Sequence, residues 1–229
     1  MSILPDMSRY PGGKQGAGTF QRIINLIPPH KFYIEPFLGG GAIMRLKRPA
    51  GSSIGIDIAD DVAGRFPVDS VPGLTVICCD GIRWLEERLW IGNEFVYADP
   101  PYVQSTLLSR GLYSHMLTDD DHVRLLKVLR RLPCPVMLSG YDSQLYLSRM
   151  GDWQTVRFRV ITRGGILATE TLWMNYRSPT VLHDYAFLGK DFTDRQRIKR
   201  KLARWARRLH SLPALERQAV LSALRADIA

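Results

Sequence analysis

Five short apolar runs, at residues 32–35, 53–57, 74–79, 94–98 and 135–139, constrain the fold of this chain more than any other feature. They lack the polar alternation of a strand with one wet face, so each reads as a strand covered on both sides. Helical patterns stand between several of them, over Thr19 to Leu26, Gly41 to Leu46, Gly81 to Leu89 and Thr118 to Leu132. The last is the clearest. Thr118 is a good N-cap, Asp119 to Asp121 favour the positive helix end, and Val123, Leu125, Leu126 and Leu129 form an apolar stripe. Strands that alternate with helices specify an α/β fold with a doubly wound, mostly parallel sheet. Residues 154–162 and 170–176 alternate instead. They predict an antiparallel hairpin at the sheet edge, turning through Arg163, Gly164 and Gly165.

A chain of 229 residues holds one such domain, expected over residues 1–189, and a short extension, 190–229. The extension carries eleven Lys and Arg against four Asp and Glu, which is most of the formal net charge of +9. That excess favours a polyanionic partner. Residues 192–210 have a helical pattern, with Ile198, Leu202, Trp205 and Leu209 on one face and Lys199, Arg200, Lys201, Arg204, Arg207 and Arg208 on much of the remainder. Ser211 and Pro213 break it, and a second helix follows through Leu215, Val220, Leu221, Leu224 and Ile228. Three readings of these helices stand open: a basic face for DNA phosphates, a solvated face on a packing helix, or an apolar stripe that forms a homodimer. Cys78, Cys79 and Cys134 lack metal-site spacing and read as buried free thiols, and no metal is expected. No run of about 18 apolar residues and no signal-peptide pattern occurs, so a cytoplasmic protein without membrane attachment is expected.

The chemistry concentrates at the ends of the apolar runs. Phe95 to Ala98 runs into Asp99-Pro100-Pro101-Tyr102. The prolines stiffen that turn and keep their carbonyls while lacking an N–H. Asp99 and the Pro100 carbonyl can accept from an amino group, and Tyr102 offers a face for stacking. Together they suit a flat, amine-bearing ring. Tyr33-Ile34-Glu35-Pro36-Phe37-Leu38-Gly39-Gly40-Gly41 is a strand entering a glycine cluster that opens a helix, the nucleotide-binding arrangement of an open α/β sheet. Ile54-Gly55-Ile56-Asp57 ends in an acid about 20 residues on, where such sheets bind ribose hydroxyls. Asp80 repeats the pattern, and is equally suited to cap the following helix. Near the N-terminus, Arg9-Tyr10-Pro11-Gly12-Gly13-Lys14 combines a Gly pair with a cation, without Walker A spacing.

Taken in order, RYPGGK, EPFLGGGA, GID, CCDG and ADPPY resemble the Dam-type family of S-adenosylmethionine-dependent DNA N6-adenine methyltransferases, in the compact versions found in phages and prophages. The resemblance covers roughly residues 9–180. It implies a Rossmann-like methyltransferase fold and S-adenosylmethionine as cofactor. Tyr10, Lys14 and the loop Glu35, Pro36, Phe37, Gly39 and Gly41 would hold its methionine part, Asp57 its ribose and Asp80 its adenine. Asp99, Pro100, Pro101 and Tyr102 would hold a target base flipped out of duplex DNA, with Asp99 also near the cofactor amino acid. An amino-methyltransferase acting on cytosine N4 or on RNA, and a non-catalytic DNA-binding regulator retaining the fold, are the alternatives. Cys134, at the start of a strand, reads as inert core rather than a nucleophile.

The larger Dam-type enzymes place a recognition domain between the glycine loop and DPPY. Here fewer than 60 residues separate Gly41 from Asp99, too few for one. Sequence reading is therefore expected from loop 103–117, with Arg110 and Tyr113, from the hairpin near Arg157 to Arg163, from the basic extension with Lys199, Arg200, Arg204, Arg207 and Arg208, or from a second subunit.

Overall fold

The computed structural model describes residues 13–16, 18–106, 115–161, 165 and 167–226. Tyr10, Arg110, Tyr113, Arg163, Gly164 and Ile228 lie outside the described residues. The chain divides into two compact units, Met1–Tyr185 and Ala186–Ala229.

In the first unit the apolar runs become β1 (Phe32–Glu35), β2 (Ser52–Asp57), β3 (Leu74–Cys78), β4 (Glu94–Ala98) and β5 (Val136–Gly140). The alternating segments become β6 (Gln154–Ile161) and β7 (Leu167–Met174). One sheet holds them in the order β3-β2-β1-β4-β5-β7-β6. The first five strands are mutually parallel, and β7 joins β5 antiparallel. This is the α/β, doubly wound sheet with an antiparallel edge that the sequence predicts. β7 begins three residues earlier than its alternation suggests, because the ladder runs out to an Ile161–Leu167 pair.

Strand order reverses between β1 and β4. The chain leaves β1 towards β2 and β3, then returns to lay β4 on the other side of β1. In an open α/β sheet the crevice beyond the strand ends at such a reversal is the ligand site. Helices α1 (Thr19–Ile24), α2 (Ala42–Leu46), α3 (Asp60–Arg65), α4 (Gly81–Glu87), α5 (Asp119–Leu129) and α6 (Gln144–Met150) accompany the sheet. On one face Ile34, Ile56, Val96, Val136 and Leu138 form a single buried cluster with Leu85 of α4, Leu125, Leu126 and Leu129 of α5, and Tyr146 and Met150 of α6. α5 opens on a capping box. Thr118 Oγ1 accepts from the Asp121 N–H, and the Asp121 carboxylate accepts from the Thr118 N–H.

Two helices lack a sequence signal of their own. α3 buries only Val62, and α6 is seven residues long and held at its start by the Ser143 hydroxyl. The cysteines need a correction: β3 is the edge strand, which leaves Cys78 exposed and Cys79 half-buried. Cys134 is buried, and burial pushes its thiol up to about 12, so it is a protonated core residue.

The second unit contains α7 (Phe192–His210) and α8 (Ala214–Ala226). Asp191 caps α7 by accepting from the Asp194 N–H at 2.8 Å. Leu202, Trp205, Leu215 and Leu224 are all exposed. Among the described residues no helix is long and apolar enough to cross a membrane.

Asn175, just past β7, clips the start of β5. Its side-chain oxygen accepts from the Val136 N–H at 2.8 Å, and its amide donates to the Cys134 carbonyl at 2.9 Å. Asn175→Ala is expected to destabilise the fold by about 1–3 kcal/mol through these two orphaned backbone groups. Urea unfolding of the variant beside the parent measures this, and coincident midpoints would mean that water replaces both bonds.

Candidate active site

Strand register builds the site. β4 pairs with β5 so that Ala98 lies opposite Leu138, which brings Asp99 beside Ser139. The Ser139 hydroxyl donates to Asp99 Oδ1 at 2.7 Å and lies 3.1 Å from the Tyr97 hydroxyl. β5 pairs with β7 so that Gly140 lies opposite Thr171, and Glu170 then falls next to the end of β5. Lys14 arrives from the N-terminal segment. Its ammonium donates to Asp99 Oδ1 at 2.6 Å and to the Tyr102 hydroxyl at 3.0 Å, and lies 3.5 Å from Glu170 Oε1. The Tyr102 hydroxyl in turn donates to Glu170 Oε2 at 3.1 Å.

Lys14 is only 5% exposed and Glu170 only 1%. Burial works against the charged form of Lys14, but Asp99 and Glu170 outweigh it and hold the ammonium well above its usual pKa. Burial pushes Glu170 up to about 7; Lys14 opposes that rise and the Asp99 charge adds to it. The sequence suggests that Lys14 offers its cation to a bound anion. The structure supplies the anions from the chain itself, Asp99 and Glu170. Both bonds to Asp99 land on Oδ1, and among the described residues no donor reaches Oδ2. The phenol rings of Tyr102 and Tyr141 stack at 4.2 Å between centroids. Tyr102 is buried, so the half-buried outer ring of this pair is Tyr141.

A cavity of about 680 Å³ opens beside this cluster. Lys14, Asp99, Pro100 and Pro101 line one part of it, and Glu35, Pro36, Phe37, Gly39 and Gly41 another. Asp57 and Asp80 line a third. Most residues singled out in the sequence thus meet around one space. Gly41 begins α2 with a φ of +54°, and a Cβ there would come 2.4 Å from the Phe66 ring. Asp57 is tied to the backbone by both oxygens: Oδ2 accepts from the Gly39 N–H at 2.8 Å and Oδ1 from the Ala59 N–H at 2.9 Å. Burial raises its carboxyl against the pull of those two bonds. Asp80 caps α4, with Oδ1 accepting from the Ile82 N–H at 2.8 Å and the Arg83 N–H at 3.3 Å. Its Oδ2 lies 3.8 Å from Arg124. Glu35 accepts from the Tyr33 hydroxyl at 2.6 Å, and burial pushes its carboxyl up to about 8.

Sequence reasoning missed Glu170 as a site residue; an acid at an inward position of β7 is the only signal it leaves. It also missed Asp61, Arg65 and Asp121, which line the cavity from surface-like sequence positions. Lys199, Arg200, Arg204, Arg207 and Arg208 are exposed on α7, in the second unit. Among the described residues no group of three or more His, Cys, Asp or Glu is placed to hold a metal ion.

Residues 71–157 match the family model of D12 class N6 adenine-specific DNA methyltransferase. No curated protein sequence is similar enough to count as a match. Among solved structures, a protein from Streptococcus mutans assigned as a methyltransferase and crystallised with SAH shares 10% identity; 67% of this chain and 94% of that chain are covered, with a TM-score of 0.46. An rRNA methylase from Streptococcus thermophilus shares 11% identity over 68% of this chain and 93% of its own, with a TM-score of 0.45. A dimethyladenosine transferase from Plasmodium falciparum shares 15% identity over 68% and 60%, with a TM-score of 0.42.

Gly81 opens α4 directly against the glycine loop. A Cβ there would sit 2.0 Å from the Pro36 carbonyl oxygen, a clash that no side-chain rotation relieves. Gly81→Ala is expected to cost about 1–3 kcal/mol of stability. By displacing Pro36 it should also weaken S-adenosylmethionine binding on the order of tenfold, measured by calorimetry. Unchanged affinity in a folded variant would separate this loop from the cofactor.

Proposed function

We propose that this chain is an S-adenosylmethionine-dependent methyltransferase that methylates the exocyclic N6 of adenine in duplex DNA, a reading supported by the match of residues 71–157 to the D12 class family model. The observation that carries the reading is the state of Asp99. Lys14 and Ser139 hold one carboxylate oxygen, among the described residues no donor reaches the other, and Asp99 lines the cavity beside Pro100, whose carbonyl belongs to a residue without an N–H. Two acceptors side by side at a strand end suit the two N–H groups of an amine.

The cavity suits the cofactor. Its volume lies within the usual range for small-molecule sites. Its carboxylates are disposed for hydroxyl and amino groups, and the bare backbone of Gly39 to Gly41 admits close approach. Glu35, Phe37, Asp57 and Asp80 would hold it. The lone pairs that the backbone leaves on Asp57 would accept from ribose hydroxyls, and Asp80 Oδ2 from an adenine amine. When bound, S-adenosylmethionine supplies a methyl group already activated by its sulfonium.

The chain's own task is then to orient the nucleophile. An exocyclic amine is weak because its lone pair is delocalised into the ring. Hydrogen bonds from its N–H groups to Asp99 Oδ2 and the Pro100 carbonyl favour the pyramidal nitrogen and aim its lone pair into the cavity. Positioning of this kind can supply much of a rate enhancement. A base within a duplex is out of reach, so it is flipped out at a cost of a few kcal/mol. The Tyr102–Tyr141 stack beside Asp99 offers it an aromatic surface. The basic face of α7 contributes phosphate affinity.

Incubation of the protein with labelled S-adenosylmethionine and unmethylated duplex DNA, followed by nucleoside analysis, is expected to yield N6-methyladenine. N4-methylcytosine alone, or transfer to RNA only, would overturn the substrate assignment. Asp99→Ala should lower turnover on the order of 100-fold or more, as loss of a group that acts on the reacting amine does. Substantial residual activity would remove Asp99 from that role.

The α7 contribution is tested with Arg200, Arg204, Arg207 and Arg208 all changed to Gln. The slope of log affinity against log salt is expected to flatten by up to about three to four. An unaltered slope would assign α7 to packing or self-association instead.

A further inference from the structure

Glu170 is a buried carboxylate that the reaction as described does not use. Its Oε2 accepts from the Tyr102 hydroxyl at 3.1 Å. Its Oε1 is buried, receives no hydrogen bond among the described residues, and lies 3.5 Å from the Lys14 ammonium. Burying a carboxylate so incompletely satisfied is costly, and a fold needing only to fill that position of β7 would do better with an apolar side chain. The cost falls next to Asp99, which suggests that the charge acts on the site.

An ammonium between two carboxylates is held by both. Here it rests on Asp99 Oδ1 and is drawn towards Glu170 on its other side. With Glu170 uncharged, Asp99 would be its remaining carboxylate partner among the described residues, and the favoured position of the cation relative to Asp99 becomes a bridge across both its oxygens. That bridge would occupy the oxygen on which the target amine depends.

We infer that Glu170 is a positioning residue: by sharing Lys14 and holding the Tyr102 hydroxyl, it confines the ammonium to one oxygen of Asp99 and keeps the other for the target amine. The inference rests on the proposed grip of Asp99 on the amine. Glu170 does not touch the substrate in this scheme; it acts through Lys14 and Tyr102.

A dependence on pH follows. The groups facing Glu170 are Lys14 from the N-terminal segment, Asp99 and Tyr102 beyond β4, Tyr97 on β4 and Tyr141 beyond β5. Its partner across β6 is the apolar Phe158; the neighbouring Arg157 is bonded to Asp142, and Arg159 flanks the other side. Because burial lifts Glu170 to about 7, the residue carries its charge above that pH and loses it below. Turnover should therefore fall as pH drops through neutrality.

The test compares the full chain with Glu170→Gln. Turnover, KM for duplex DNA and the pH profile of kcat are measured together, with cofactor affinity by calorimetry. Glu170→Gln should lower kcat on the order of 10- to 100-fold at about pH 8, the effect of one charge-assisted contact, with cofactor affinity nearly unchanged. It should also lose the fall in kcat near neutrality. Glu170→Asp, which keeps the charge, should retain that fall. A Glu170→Gln profile that matches an active parent overturns this inference alone, and a parent that forms no N6-methyladenine overturns the proposed function and this inference with it. Should Glu170→Gln fail to fold, the parent decides: a kcat that is flat between about pH 6 and 8 refutes the role.

Discussion

The ammonium of Lys14 is shared by Asp99 and Glu170, and three distant stretches of chain depend on it. It comes from residue 14, Asp99 from the end of β4, and Glu170 from β7. Among the described residues the cluster carries two carboxylates and one cation, an imbalance that protonation of one carboxylate or a cationic ligand would remove. Burial is the main reason that Glu170 sits near neutrality, and the Asp99 charge adds to it. The imbalance also makes the site receptive to a sulfonium, because a cationic ligand next to Asp99 relieves the excess negative charge. Removing one partner from such a group leaves a buried charge uncompensated, which is typically worth about 3–5 kcal/mol. Folding of the strand ends and readiness of the site are therefore one event.

The sheet makes that meeting possible. Parallel pairing places the ends of β1, β2, β3, β4 and β5 at one edge, and the reversal between β1 and β4 opens a crevice there. Antiparallel β7 reaches the same place in the opposite direction. It enters the site from its N-terminal half, so Glu170 faces Asp99 while Leu172, Trp173 and Met174 continue into the core. One strand thus supplies both a charge at the rim and apolar surface below it.

The sequence shows the parts of this arrangement that are local. DPPY, the glycine loop and the acids after β2 and β3 each occupy a few consecutive residues, and their chemistry follows from residue type and turn geometry. Glu35, Asp57, Asp80 and Asp99 accordingly line the cavity. What is not legible is which partner each side chain finds across the fold. Lys14 reads as an anion-binding lysine, but its partners lie 85 and 156 residues away, and no local pattern encodes them. Asp80 satisfies a cap and a cavity position together, where its sequence offers these as rivals. Cys78 is apolar in pattern but exposed, because strand order in the sheet, and with it which strand is the edge, is a tertiary property.

The grip at Asp99 bears on selectivity. Two acceptors recognise an amino group, and adenine and cytosine both carry one. In the proposed reading the acceptor pair selects amine over carbonyl, and choice between the two bases falls to the surfaces around the rest of the ring. Residues 42–98 are filled by α2, β2, α3, β3, α4 and β4, so no recognition domain interrupts the chain there. A phosphate contact by the basic face of α7, as proposed, would position without reading sequence. In the proposed reading, discrimination among the described residues falls to the surfaces beside Asp99. The Tyr102–Tyr141 stack presents the half-buried ring of Tyr141. Were a flipped base to stack on Tyr141, a purine would cover more of that face than a pyrimidine, which would favour adenine by contact area without any hydrogen bond that distinguishes the two.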